Sequence, residues 1–259
     1  MKNSIKFKTL CLATTTIIGC SAAAVHAQTI SWNFDGWGDV SGPSQLAGVV
    51  LAPYWNSTYL IDGNSGATEN NLLDSTGTAT TMSVGSFVDN SQYGYQIQSA
   101  GPGVDADGTF SRSVLNGYLN NGGSGSVSMT LNSIPYSVYN IIVYLSSDTA
   151  GRTGTVNVGS TTYDFATMGP AEIGGVPATA GSSNASFIQT TDISGANPSA
   201  DYAVFSGLTG SSQTIMSTIS SYGGIAGFQV VAVPEPSSMV LSGMGGLAVL
   251  LMSRRSQKN

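Results

Sequence analysis

Asp105-Ala106-Asp107-Gly108 sets two carboxylates two residues apart, ahead of a glycine. Hard cations take oxygen ligands in glycine-containing turns, so Asp105 and Asp107 are the candidate calcium ligands of this chain. An EF-hand loop needs further ligands at its fifth and twelfth positions, where Thr109 and Asn116 stand in place of the expected acids. The run therefore reads as a solvated acidic turn, or as one part of a structural calcium site assembled from distant loops. Aromatic residues offer a second chemistry. Trp32, Trp37, Tyr54, Trp55 and Tyr59 crowd the early part of the chain. Ring faces stack on sugar rings, while Asn, Asp and backbone amides read hydroxyl groups. Trp32 lies in a strand-like run and reads as core. Trp37, in Gly36-Trp37-Gly38, and Trp55, between Tyr54 and Asn56, read as loop residues, either packed into the core or exposed as the candidate glycan contacts. A third chemistry, carboxylate-driven glycan cleavage, needs one acid with a raised pKa about 5–9.5 Å from another. The glutamates between residues 28 and 233 are Glu69 and Glu172, and neither sits in a recognisable motif, so no catalytic residue is assigned.

Composition removes whole classes of reaction. Cys11, Cys20 and His26 are the cysteines and histidine of the chain, and all precede residue 28. Residues 28–233 therefore support no Ser-His-Asp or Cys-His catalysis, no imidazole- or thiolate-held zinc, copper or haem, and no disulfide. Every lysine also falls outside that segment. Its basic side chains are Arg112 and Arg152, against thirteen Asp and Glu, a formal charge of −11. Counterion release on nucleic acid needs several Lys or Arg contacts, so nucleic acid is excluded as a partner, and an anionic membrane surface with it.

The elements that must position these residues are strands. Gly, Ser, Thr and Asn separate short β-prone runs at Thr29–Phe34, Gly48–Leu51, Tyr93–Gln98, Ser126–Leu131, Val138–Leu145, Gly154–Val158, Thr161–Phe165, Phe187–Thr191, Tyr202–Phe205, Gln213–Ser217 and Gly227–Ala232. Apolar residues occupy both alternating sets of Tyr136–Leu145, which predicts a strand covered on both faces. Val114, Leu115, Tyr118 and Leu119 predict one short helix over Arg112–Asn120. Pro170–Ser183 reads as a surface loop. Residues 28–233 suffice for one all-β domain, expected as a jelly-roll-type β-sandwich with that single short helix.

The flanks read as export signals. Lys2, Lys6 and Lys8 precede an apolar, small-residue stretch from Thr9 to Gly19, and Val25-His26-Ala27 forms a small-residue cleavage site. This is a secretory signal helix over residues 1–27, cut between Ala27 and Gln28. Ile17-Ile18-Gly19-Cys20 also resembles a lipobox, in which Cys20 would be lipidated. At the other end Val233-Pro234-Glu235-Pro236 leads into an apolar run, Met239–Met252, closed by Arg254, Arg255 and Lys258. A helix of roughly 15 residues spans about 22 Å, short of the ~30 Å hydrocarbon core. The basic end stays cytoplasmic, so the preceding domain lies outside.

Pro234-Glu235-Pro236, a short apolar transmembrane helix and the Arg254-Arg255 cluster together resemble the PEP-CTERM sorting signal of Gram-negative, biofilm-forming bacteria. The resemblance implies a removable tail over residues 234–259, recognised by an exosortase-type membrane protease and cut near Pro-Glu-Pro. It implies an inner-membrane precursor followed by release to the cell surface or extracellular matrix. A second resemblance rests on Trp32-Asn33-Phe34, on Asn116-Gly117-Tyr118-Leu119 with Ile134-Pro135 and Tyr139–Leu145, and on Gly223–Val230. These segments are similar to PEP-CTERM-tailed exoproteins with a galactose-binding-like β-sandwich, which implies a carbohydrate-binding type of scaffold. The expected function is a non-enzymatic structural or carbohydrate-associated module whose partners are the exosortase and an extracellular polysaccharide. The alternative is a secreted, carboxylate-dependent glycan-active enzyme. No cofactor is expected beyond structural calcium.

Overall fold

A computed structural model describes residues 28–34, 42–58, 68–88, 95–97, 104–123, 125–169, 172–173, 176–177 and 187–234. The signal helix, Trp37, most of the Pro170–Ser183 loop and the tail from Glu235 onward lie outside these residues. Among the described residues no helix is long and apolar enough to cross a membrane.

The strands in chain order are β1 (Thr29–Phe34), β2 (Asn56–Thr58), β3 (Thr68–Glu69), β4 (Ser83–Val88), β5 (Tyr95–Ile97), β6 (Gly117–Leu119), β7 (Ser126–Asn132), β8 (Tyr139–Ser146), β9 (Thr153–Val158), β10 (Thr161–Ala166), β11 (Glu172–Ile173), β12 (Val176–Pro177), β13 (Gln189–Thr190), β14 (Tyr202–Leu208), β15 (Ser212–Ile219) and β16 (Gly224–Ala232). Two six-stranded sheets, in the orders β13-β14-β8-β16-β1-β2 and β10-β9-β15-β7-β4-β3, make the β-sandwich that the sequence predicts. From β7 onward the chain passes repeatedly from one sheet to the other. All pairings within them are antiparallel except β1 with β2 and β13 with β14.

Strand periodicity explains the layering. β15 alternates exposed and buried residues, turning Ile215, Ser217 and Ile219 inward, and β7 does the same with Val127, Met129 and Leu131. These side chains meet Ile141, Val143, Phe228 and Val230 of the opposing sheet in the inner core. Trp32 is at its centre, stacked at 5.7 Å on Phe87 and 5.6 Å on Phe228, with Phe34 edge-on at 4.7 Å. Each such aromatic pair adds about 0.5–1.5 kcal/mol beyond the burial itself. β8 is covered on both faces, as its two apolar sets predict. Its second set, Ile142 and Tyr144, belongs to an outer core with Ala47, Trp55, Val114, Leu115, Tyr118 and Ala226.

The predicted helix over Arg112–Asn120 is instead a 3₁₀ helix, Ser111–Leu115, followed by β6. Tyr118 joins the outer core and its neighbour Leu119 the inner one. Sending consecutive residues to opposite sides is a strand's geometry, and it overrides the helical spacing. The Gly48–Leu51 run is likewise a turn. Its backbone is drawn onto the sheet by side chains. Val49 N donates to Tyr144 Oη at 2.7 Å, Val50 N donates to Gln229 Oε1 at 3.2 Å, and Gln229 Nε2 returns a bond to Val50 O at 2.8 Å. Gly48 has φ +92°, and a Cβ there would stand 2.7 Å from the Trp55 ring, so only glycine fits.

The two ends of the domain leave from one place. Ala232 N donates to Gln28 O at 2.9 Å, and Val233 N donates to Val138 O at 3.0 Å. The ladder of β16 therefore continues to the residue before Pro234, which is itself exposed.

Candidate functional site

Asp105 and Asp107 are close in sequence but sit in opposite environments. Asp105 is buried, and its Oδ1 accepts a 2.6 Å bond from Arg112 Nε, an ion pair with almost no solvent exposure on either side chain. Its Oδ2 accepts from Thr109 Oγ1 at 3.1 Å and from Arg112 N at 3.4 Å. A guanidinium already neutralises this carboxylate, and among the described residues no group of three His, Cys, Asp or Glu gathers that could hold a metal ion. The solvated acidic turn of the sequence reading is corrected at Asp105 to a buried ion pair that closes the turn, with Gly108 N bonded to Asp105 O at 3.0 Å. The sequence did carry a signal for this. One of the domain's two arginines, Arg112, lies seven residues after Asp105.

Asp107 faces solvent. Thr109 N donates to its Oδ1 at 2.9 Å, and that bond holds the carboxyl below its ordinary range, so it is ionised at neutral pH.

Trp55 is not a surface aromatic. It is 2 % exposed, its indole N–H donates to Ala52 O at 3.0 Å, and its ring lies 5.9 Å from that of Tyr144. Its proposed glycan-contact role is corrected for that reason: the loop carrying it folds over the outer face of the first sheet and buries the ring. Trp37 lies outside the described residues. Gln28, on the expected cleavage junction, is exposed, and Ala27 lies outside.

The aromatic surface arises elsewhere. Gly48, Val49 and Leu51 from the pinned turn, Asp107, Thr109 and Ser111 from the ion-paired turn, and Phe187 and Tyr202 line an open cleft of about 250 Å³. β14 positions Tyr202 beside Tyr144 of β8, with ring centres 6.4 Å apart. Phe187 stands edge-on to Tyr202 at 6.3 Å and 5.3 Å from Tyr144. Phe110 N donates to Leu46 O at 2.8 Å and ties the two turns together. Burial, then the nearby charge of Asp201, raises the Tyr202 phenol above its ordinary value, so its hydroxyl keeps its proton. Leu51 is 56 % exposed at the rim. Among the described residues the cleft thus combines two aromatic walls, three hydroxyls and one carboxylate, with no cationic side chain in its lining. Phe187 and Tyr202 were legible singly as β-prone aromatics. Their convergence with Asp107 was not, because it depends on contacts between segments nearly a hundred residues apart.

Glu69 carries the other notable carboxyl. Burial raises its pKa, and the Trp32 indole N–H, donating to Oε2 at 2.7 Å, opposes that shift. It satisfies a buried donor of the inner core, which is a structural task.

A comparison with curated proteins returns no match. Residues 232–255 match the PEP-CTERM protein-sorting motif. That match begins at the last residue of β16 and takes in Pro234, Glu235, Pro236, Arg254 and Arg255. The chain therefore carries a PEP-CTERM sorting motif, the mark of an exported protein anchored transiently in the membrane and processed by an exosortase-type enzyme.

Proposed function

We propose that the exported domain is a non-enzymatic module of the cell surface or extracellular matrix of a Gram-negative-type bacterium, and that it associates with neutral polysaccharide. The Phe187/Tyr202 cleft carries this reading. Its rings supply a stacking surface, and its hydroxyls and carboxylate are of the kind that reads sugar hydroxyls. Charge selects the ligand class. With thirteen acids against two arginines, the domain offers no cationic clamp to a uronate polymer. Among the described residues Asp107 is the one carboxylate lining the cleft, which supports binding over hydrolysis, since glycosidic cleavage calls for an acid pair.

The test is a glycan array probed with the processed, secreted protein, with and without calcium, beside a Tyr202→Ala variant. Retention of neutral glycans that weakens in the variant is expected. Release of new reducing ends from a bound glycan would transfer the chain to the rival class of carboxylate-dependent glycan-active enzymes. Tight, calcium-independent binding of an alginate-like anion would contradict the charge argument.

A further inference from the structure

A second cleft, of about 480 Å³, lies between Gln28, the Asn71–Thr81 segment and the Pro135-Tyr136 turn. Its volume is within the ~300–1,000 Å³ usual for small-ligand sites. Among the described residues none lines both this cleft and the Phe187/Tyr202 cleft.

Two atoms of its lining residues have hydrogen-bonding capacity left over. The Tyr136 ring packs on the inner core, yet its buried Oη has no hydrogen-bond partner among the described residues. A buried hydroxyl left unbonded destabilises the fold, and phenylalanine would fill the same space without that cost. Burial and the charge of Asp74 both push this phenol well above its ordinary value, so it stays a donor. Asp74, 4 % exposed, is the complementary acceptor. Its Oδ1 is saturated by Thr76 N at 2.8 Å, Thr76 Oγ1 at 2.6 Å and Thr78 N at 3.1 Å. Its Oδ2 takes one long bond, 3.4 Å, from Gln28 Nε2 and keeps acceptor capacity.

We infer that this cleft is a second binding site, for a neutral saccharide unit whose adjacent hydroxyls accept from Tyr136 Oη and donate to Asp74 Oδ2. An anion is disfavoured by Asp74. A metal cation is disfavoured by the phenol proton and the Gln28 amide, both donors. A hydroxyl is donor and acceptor at once and fits both atoms. Thr80, Thr81 and Asn71 extend the polar wall, and Pro135 with the Tyr136 ring gives the apolar one. Two separate sites on one domain let a single copy bridge two polymer chains. The choice of sugar as ligand class rests on the carbohydrate-associated reading above, while the site itself does not.

The experiment titrates cellohexaose, maltohexaose and mannohexaose into the processed protein, Tyr136→Phe, Tyr202→Ala and the double variant, by calorimetry, with a thermal melt of each. Tyr136→Phe is expected to weaken one class of site about five- to tenfold, the worth of one hydrogen bond. Its melting temperature should stay level or rise, because the hydroxyl it loses is unbonded. A variant that binds as wild type does, or that melts lower, overturns the inference. If Tyr136→Phe is silent while Tyr202→Ala weakens binding, this site falls and the proposed function stands. If Tyr202→Ala is silent while Tyr136→Phe weakens binding, the Phe187/Tyr202 cleft falls instead. Absence of binding to all three sugars removes both.

Discussion

Asp105→Asn tests whether the acidic turn is an ion pair or a calcium site. The substitution keeps the side chain's shape and removes the charge that compensates Arg112, with the two side chains essentially shielded from water. Breaking a buried pair from one side leaves an unpaired buried charge and costs about 3–5 kcal/mol. In a domain of this size 1 kcal/mol moves the melting temperature by ~2–4 °C, so the expected drop is about 6–20 °C. The assay is a thermal melt of the processed protein in calcium and in chelator. The drop should be the same in both, because Arg112 and not a metal holds the carboxylate. A calcium ligand would behave otherwise: at a hundred times its Kd, bound calcium stabilises by about 2.7 kcal/mol, and the wild type alone would show that gain. Pairing Asp105→Ala with Arg112→Met should cost less than the sum of the single changes, since the double variant leaves no lone charge. A drop seen in calcium alone, or a loss under 1 kcal/mol in both buffers, would refute the reasoning.

Glu69→Gln should report on pH. The folded state holds Glu69 above its ordinary value of 4.5, so its stabilising contribution is complete below that value and is lost as pH rises through the raised one. The variant should therefore melt higher than wild type at pH 7, with the gap closing as pH falls through the raised value and gone below 4.5; a gap that widens on acidification would reverse the sign. Trp55→Ala should lower stability by about 3–5 kcal/mol in denaturant unfolding, the cost of emptying a buried tryptophan site, and a near-neutral result would return Trp55 to the surface. Replacing Pro234-Glu235-Pro236 by alanines should leave an unshortened precursor in the inner membrane on immunoblots of cell fractions. Unchanged processing would show that the tail is an ordinary anchor.

What the sequence made legible follows from where the stabilising partners lie. β8 and β15 were readable because alternation along one strand reports the face it buries. β4 was not, since Gly85 interrupts the run, Ser86 takes φ +51° and the register against β7 shifts there. The turn over Gly48–Leu51 looked like a strand because Val49 and Val50 pack against the outer core. What holds it is Gln229, nearly two hundred residues away, and no local pattern encodes such a partner. Burial of Trp55 shares that cause. Asp105 was visible as chemistry, but its burial was not, because the spacing of carboxylates ignores the arginine that satisfies one of them. The sorting motif was legible in full, because a protease reads it as linear sequence.

The way the tail joins the domain has a mechanical consequence. Val233 continues β16, a nine-residue strand bonded on one side to β1 and on the other to β8. A pull transmitted from a membrane-held tail therefore runs along the axis of an interior strand. It loads two ladders of hydrogen bonds in shear, all at once, and cannot open them in succession. A tether leaving from β2 or β13, at the sheet edges, would be peeled away one bond at a time. Before it is released, the domain can hang from its anchor in flowing medium without being unzipped from its own end.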